Sequence, residues 1–567
     1  MTPRQARASA LPPANELVIG LVGAVGIDLG RVSQFLSVVL NDFEYRVHDI
    51  HLSELMRSLT WDEPLPGGPF DERVAAFMDA GNKLRSPECW ARNDAFALLG
   101  LHRIALTRRE TTGDMEWPAD RQAYVLRSLK RPEEVQLLRQ VYGSRFLLIA
   151  CYAPKGTRET FLKQEIRASR IKPLKAKPVF DAEELMRRDE REALPYGQDV
   201  RETFHRADFF VDASDFDVRS SDAEGVERPR FECEIRRIFE IFLGHPRRTP
   251  SRDEFGITQA AAAMRRSAEL GRQVGAAICT PSGEVVAVGV NEVPRPGGGL
   301  YWEGDVGDRR EFQLGGDTSD AHKREIAEQI VHGLAAAQLL GDGVDERAVL
   351  QAVSNTALHN LIEFIRAVHA EMAALTDAAR RGIPVQGCTL YVTTFPCHHC
   401  ARHIVAAGIR RVVYIAPYAK SLAEQLHDDA LVVTSNAMLH DPPADGGDPR
   451  VRFEPFVGVS PSRYMEMFAM PQRKDDSGAL ADWSPTTAQP RLADLEPEEL
   501  RIDLLPYLVR ERNAQELLFD ILEHQQPTLS TEPAPARGAG RRPPASAASD
   551  RPRTPRTRRR RTPHARR

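Results

Sequence analysis

The sequence predicts two α/β domains in series, followed by a basic tail that cannot fold on its own. Three observations carry this. Between residues 17 and 213, short apolar runs alternate with amphipathic or charged helical stretches, as in a parallel sheet covered by helices. Between 251 and 470 the pattern becomes helix-β-β-helix-β-helix-β, with histidine, glutamate and cysteine at its turns. From Pro533 to Arg567 the chain is Arg, Pro and Ala without apolar periodicity, so it has no core to bury.

At 567 residues the chain is long enough for two or three domains. Residues 1–16 are Pro/Ala/Arg-rich and are expected to be disordered. The first domain spans 17–213, a linker and bridging helix 214–250, the second domain 251–470 with an insertion at 293–358, a helical segment 471–532, and the tail 533–567. Seven cysteines without regular spacing, apart from one pair, predict free thiols in a reducing cytoplasm. No uninterrupted apolar stretch approaches the roughly 18 residues of a membrane span, so no membrane association is expected. The tail holds twelve arginines against one acid, Asp550, a net +11; residues 1–532 therefore carry −15 of the chain's total of −4. The acidic body argues against indiscriminate nucleic-acid binding, whereas the tail is a candidate contact for a regulatory RNA.

In the first domain, Leu17–Val22 reads as a buried strand running into Gly23, Gly26 and Gly30, with a helix through Leu40. Strand, glycine loop and helix are the context of a phosphate-binding loop, with Gly23, Gly26, Gly30 and Arg31 as the nucleotide-binding candidates. The full motif is absent. Arg31 stands where lysine belongs and Val32 replaces the magnesium-binding hydroxyl, which argues against phosphoryl transfer. A glycine turn without a ligand is the competing reading. Further runs at Tyr124–Leu126, Phe146–Cys151 and Phe209–Asp212 alternate with helical stretches at 71–107, 132–141, 157–170 and 181–192. The stretch from Arg187 to Asp212 resembles the lid and last strand of small P-loop kinases. Arg167, Arg170, Lys172 and Arg187 are cations there that would reach phosphates, unless they form a solvated helix face.

A helix at Phe231–Leu243 bridges to the second domain. That domain starts with a helix near Thr258–Leu270. Strands at Val274–Cys279 and Glu284–Val290 follow, joined by Thr280-Pro281-Ser282-Gly283. An apolar helix at His359–Arg380 carries His369 and Glu371. Strand Thr389–Thr393 leads into Pro396 and a cysteine-bearing helix through Ala407. Strand Val412–Ala416, helix Ser421–Leu426 and strands Leu431–Thr434 and Val451–Phe456 complete the order. The insertion is Gly-rich early and helical around Asp320–Leu340; it reads as a lid, an effector segment or an oligomer contact. Downstream, Glu498–Leu505 reads as a helix stopped by Pro506, and Asn513–His524 as another.

The chemistry concentrates between His369 and Cys400. His369-Ala370-Glu371 followed by Pro396-Cys397-His398-His399-Cys400 supplies one imidazole and two thiolates, enough for zinc with a fourth position open. Cysteines three apart at a helix start face one ion. Glu371 is the acid expected to shuttle the proton. His398 and His399 lie between the cysteines and read as local polar residues, because the ligand set is complete without them.

These motifs, with Gly289-Val290-Asn291-Glu292-Val293-Pro294, resemble deoxycytidylate deaminases. Together with the degenerate P-loop kinase-like domain, residues 17–470 resemble the bacterial anti-phage dCTP deaminases. The resemblance implies a cytidine-deaminase-like α/β/α fold, Zn2+ at His369, Cys397 and Cys400, proton transfer by Glu371 and nucleoside contact by Asn291. It also implies conversion of deoxycytidine nucleotides to deoxyuridine nucleotides, a nucleotide effector at the first domain and a homo-oligomer. Tyr418, Lys420 and Ser421 follow a strand and open a helix, which makes them phosphate candidates; an ordinary N-cap at Ser421 is the alternative. Two rival functions stay open at this stage: editing of a base within a polynucleotide, and a non-catalytic nucleotide or RNA sensor with a structural zinc.

Overall fold

The alternation resolves into two six-stranded sheets in the computed structural model. It describes residues 15–527 apart from 62–64, 171–180, 191, 193, 222–225, 342, 357, 359–360, 418–420, 435–447, 471–472, 489, 491–505 and 526. The first sheet takes β1 (Leu17–Gly23), β2 (Arg46–His51), β3 (Gln122–Arg127), β4 (Phe146–Tyr152) and β5 (Phe209–Asp212), all parallel. A small hairpin, β6 (Arg219–Ser221) with β7 (Glu227–Pro229), occupies the expected linker. The second sheet takes β8 (Gly275–Cys279), β9 (Val285–Val290), β10 (Thr389–Thr394), β11 (Arg411–Ala416), β12 (Leu431–Val433) and β13 (Val451–Pro455) in the order β12-β13-β11-β10-β8-β9. Only β8 runs against the other five, antiparallel to both β10 and β9. The chain then returns: β14 (Gly458–Val459) adds to the first sheet, antiparallel to β5, giving the order β14-β5-β4-β1-β3-β2.

Several boundaries differ from the sequence reading, each for a local reason. The strand β2 is half polar and lies at the sheet edge, so it lacks the apolar run that marks β1 or β4. The stretch 71–107 divides into helices Phe70–Arg85 and Ala95–Thr112 at Ser86-Pro87. The second domain's first helix is Arg252–Met264 rather than Thr258–Leu270. Its start is fixed by a capping box in which Ser251 Oγ accepts from the Glu254 N–H and Glu254 accepts from the Ser251 N–H. The histidine-bearing helix begins at Ala370, with His369 at its N-cap in extended backbone. The expected helix Asn513–His524 begins earlier, at Pro506, since proline suits a first turn. The expected Glu498–Leu505 helix and the basic tail lie outside the described residues.

One core joins the domains. A single buried cluster runs from Trp90, Phe96 and Phe146 of the first domain to Ile257, Tyr391, Val413 and Phe456 of the second. The bridging helix Arg230–Phe242 buries Phe231, Ile235, Ile238, Phe239 and Phe242, a helical spacing, against the far face of the first sheet. Glu254, fully buried, accepts from the Val459 N–H at 2.9 Å and from Arg237 of the bridging helix, so one side chain holds β14 and both domains together. The Tyr152 and Tyr414 hydroxyls, at the ends of β4 and in β11, lie 3.3 Å apart. All seven cysteines are free, and no helix among the described residues is long and apolar enough to cross a membrane.

The helix Pro506–His524 is fastened through a buried charge. Arg108 is fully buried and bonds Glu16 at 2.9 Å and Glu511 at 2.7 Å, while Tyr507 and Tyr142 donate to the same two carboxylates. Burial disfavours the guanidinium charge, but the two glutamates outweigh it and hold its pKa well above the ordinary value. Removing Glu511 leaves two buried guanidinium N–H groups and the Tyr142 hydroxyl without their acceptor, and breaking such a buried pair typically costs about 3–5 kcal/mol. Glu511→Ala should therefore lower unfolding free energy by about 3 kcal/mol, read by denaturant titration.

Candidate metal centre

Three ligand atoms converge from two helix N-termini. The parallel pair β10–β11 delivers Phe395 to the sheet's carboxyl edge, where its N–H bonds Ala416 O at 2.7 Å and its ring packs edge-on to Tyr414, 4.9 Å between centroids. Two residues on, Cys397 caps helix His398–Ala406, its sulfur accepting from the Cys400 N–H at 3.5 Å. The histidine comes from the other side. Val368 pairs with Glu292 in a short antiparallel bridge, and His369 then caps helix Ala370–Arg380.

That helix rests on β9 at backbone distance. A side chain at Gly289 would place its Cβ 2.1 Å from Ala370 O and 2.4 Å from Ala374 N, so only glycine allows this approach. Gly275 plays the same part for the first helix, where a Cβ would stand 2.0 Å from Ala260 O.

His369 Nδ1 lies 3.3 Å from Cys397 Sγ and 3.4 Å from Cys400 Sγ, and all three ligand atoms fall within 4.8 Å of one another. Tetrahedral zinc with its usual bond lengths puts nitrogen and sulfur ligands about 3.6 Å apart, so the triad fits this ion. Cys397 and Cys400 are buried and His369 half-buried. Burial opposes the imidazolium, but the bond to Cys397 and the neighbouring Glu371 carboxylate raise His369 to about 9. The bond from Cys400, with the bond and positive charge from His369, draws Cys397 down to about 3 against its burial. A thiolate therefore forms readily at Cys397, as a metal ligand must, whereas the bond to Cys397, burial and the Glu371 charge push the Cys400 thiol well up. Both helix N-termini add positive potential at the sulfurs.

Glu371, in the first turn of the histidine helix, is 4 % exposed, and its side chain bonds the Cys400 thiol. Burial raises its pKa while His369 opposes the shift. The structure thus places all four expected residues at one point. His398 and His399 stay outside the triad: His398 Nδ1 is buried without a partner among the described residues, and His399 Nε2 sits 3.7 Å from Glu363.

The other candidates are dispersed. Asn291 ends β9, but its amide is spent on backbone: Oδ1 accepts from the Val274 N–H and Nδ2 donates to Arg272 O, both at 2.7 Å. It holds the loop 267–274 beside the bridge to Val368. Ser421 Oγ donates to Pro396 O at 2.8 Å and accepts from the Ala423 N–H, so it braces the turn before Cys397. Tyr418 and Lys420 lie outside the described residues. Gly23, Gly26, Gly30 and Arg31 do gather in one loop, with helix Leu29–Asp42 behind it. Arg31, however, turns to Asp217 at 2.5 Å and over the Phe216 ring. Arg170 pairs with Asp71 at 2.7 Å.

Glu269 escaped the sequence reading, which placed it in a helix. It lies on the loop held by Asn291, with a buried Oε2 that has no partner among the described residues. Burial and the nearby acids Asp317, Glu311 and Glu292 raise its pKa.

Comparison with known proteins agrees with this geometry. Residues 250–416 match the cytidine and deoxycytidylate deaminase zinc-binding region. The C-terminal domain is cytidine/deoxycytidylate-deaminase-like. Its metal-ligand set is that of a zinc-dependent hydrolase. ComE operon protein 2 of Bacillus subtilis is 42% identical over 65 residues, 11% of this chain and 34% of that protein. Deoxycytidylate deaminase of Enterobacteria phage T2 is 38% identical over 79 residues, 14% of this chain and 42% of that protein. The chain thus spans about a third to two-fifths of the length of these curated relatives. A dCMP deaminase of cyanophage S-TIM5, solved with dCMP and dUMP, aligns over 37% of this chain and 100% of its own at 18% identity. Its TM-score of 0.21 is too low to carry an argument.

Gly289→Ala should push the histidine helix off β9 and lower bound zinc well below one equivalent by elemental analysis. Cys400→Ser should do the same by removing a ligand. A G289A protein that folds and keeps full zinc would show that the contact is not what positions His369.

Proposed function

We propose that the chain hydrolyses the C4–N4 bond of free deoxycytidine nucleotides, dCTP or dCMP, giving the deoxyuridine nucleotide and ammonia. The observation that carries this is Glu371, a buried acid against Cys400, two residues from His369. A structural zinc site has no use for such an acid. His369, Cys397 and Cys400 would hold zinc, which when bound would supply the Lewis acidity that activates water near neutral pH. Glu371 takes the proton from the attacking water, passes it to ring N3, and returns a proton to N4 as ammonia leaves. The balance is one cytosine ring and one water in, one uracil ring and one ammonia out. Burial of the carboxyl favours its neutral form and so the transfer to N3.

The finer reading follows the family resembled: depletion of dCTP as anti-phage defence, with activity governed through the first domain. The shared core and the Tyr152–Tyr414 contact support communication between the domains. Regulatory RNA at the basic tail, a nucleotide effector, a homo-oligomer and a cytoplasmic location belong to the same reading.

Ammonia release and product identity, measured with dCTP, dCMP, deoxycytidine and a cytosine-containing oligonucleotide, test it. Nucleotides should be converted and the oligonucleotide spared. Glu371→Ala should keep its zinc and lose about 10²–10⁴-fold in rate, the usual worth of a proton-transferring side chain. Turnover of the oligonucleotide alone would establish editing instead.

A further inference from the structure

The glycine loop of the first domain closes on a carboxylate of its own chain. Gly26 sits at φ +93°, where a Cβ would meet Arg158 O at 2.7 Å. In the turn it makes, the Val25 N–H donates to Asp189 Oδ2 at 2.7 Å. Lys130, from the turn after β3, donates to Asp189 Oδ1 at 2.7 Å and to Gly23 O at 3.2 Å. Asp189 is fully buried. Asp28, at the helix start, accepts from the Arg31 N–H at 2.9 Å, and Arg31 itself leaves for Asp217. A backbone N–H and an ammonium thus grip a carboxylate as a phosphate-binding loop grips an oxyanion. The cation in the grip is Lys130, distant in sequence, and not Arg31.

A second cation, Arg158, stands beside the same carboxylate. Arg158 gives its hydrogen bonds to two carbonyls, Ala153 O and Val25 O. Burial lowers its pKa, and Asp189 is the foremost charge opposing that shift. Asp189 thus faces both Lys130 and Arg158, and the exposed Glu190 adds only a lesser opposing charge at Arg158. A phosphate group, with about −1.5 to −2 charges near neutral pH, would match them better. Gly26 also lines a cavity of about 490 Å³ shared with Asp28, Arg31, Thr157, Gln164 and Ser214. The seat therefore adjoins space for the rest of a ligand.

We propose that Val25 and Lys130 form an anion seat for a phosphate-bearing ligand, held closed by Asp189, and that the ligand enters by displacing this carboxylate. The deaminase reading is not needed for it. The full-length protein is compared with Asp189→Ala, Asp189→Asn and the double variant Asp189→Ala/Lys130→Met. Melting temperature and calorimetry are followed as inorganic phosphate or pyrophosphate is added against chloride of equal ionic strength. Asp189→Ala should melt lower than the wild type and recover saturably with phosphate, binding it at least about tenfold more tightly than the wild type does. Asp189→Asn keeps the side-chain volume and frees Lys130, so it serves as the folded test should the alanine variant not fold. The double variant should lose the phosphate response. Three results overturn the proposal: phosphate binding by the wild type as tight as by the Asp189 variants, no phosphate response in either single variant, or an undiminished response without Lys130.

Discussion

The histidine helix lies at backbone contact on β9, and the metal centre depends on that contact. Gly289 leaves room for Ala370 O and Ala374 N where any side chain would collide. Helix Ala370–Arg380 therefore starts deep against the sheet, with His369 facing the start of the cysteine helix. The cysteine helix is set by a second constraint, the parallel β10–β11 pair, which carries Phe395 and Pro396 to the carboxyl edge. Asn291 and Ser421 brace the two approaches with backbone hydrogen bonds. Three soft ligands and a buried acid then meet without a long side chain having to reach, and rigid placement is what proton transfer requires.

The same economy links the domains. The second domain returns a strand to the first sheet, Glu254 ties that strand to the bridging helix, and one apolar cluster runs through both. Tyr414 touches Tyr152 on one side and packs on Phe395 on the other, two residues before Cys397. A change at the ends of β4 and β5 thus has a short packed route to the metal turn. The Pro506–His524 helix closes the first domain's other flank through Arg108. The domains are joined as one body of packed side chains and not strung on a flexible linker.

Much of this was legible in the sequence because its signals are local. His369-Ala370-Glu371 and Pro396-Cys397-His398-His399-Cys400 state their chemistry outright, and apolar runs mark β1, β4, β10 and β11. What was not legible depends on partners far along the chain. Asn291 looks like a substrate ligand until its amide is seen bonded to Val274 and Arg272. Arg31 looks like the cation of the glycine loop until Lys130 and Asp189 arrive from residues more than a hundred positions away. The strand β14 has two residues and pairs in the other domain, and the helix that Pro506 opens is fixed by its packing on the first domain.

The central claim is that His369, Cys397 and Cys400 hold a zinc with one position open beside Glu371. Zinc K-edge X-ray absorption of the purified, zinc-loaded protein tests it most directly. The account predicts two sulfur scatterers at about 2.3 Å and two lighter ones near 2.0–2.1 Å, one an imidazole nitrogen. The pattern should persist in Glu371→Gln. A shell of three or four sulfurs, or of two imidazoles, would describe a closed structural site built from other residues and would contradict it.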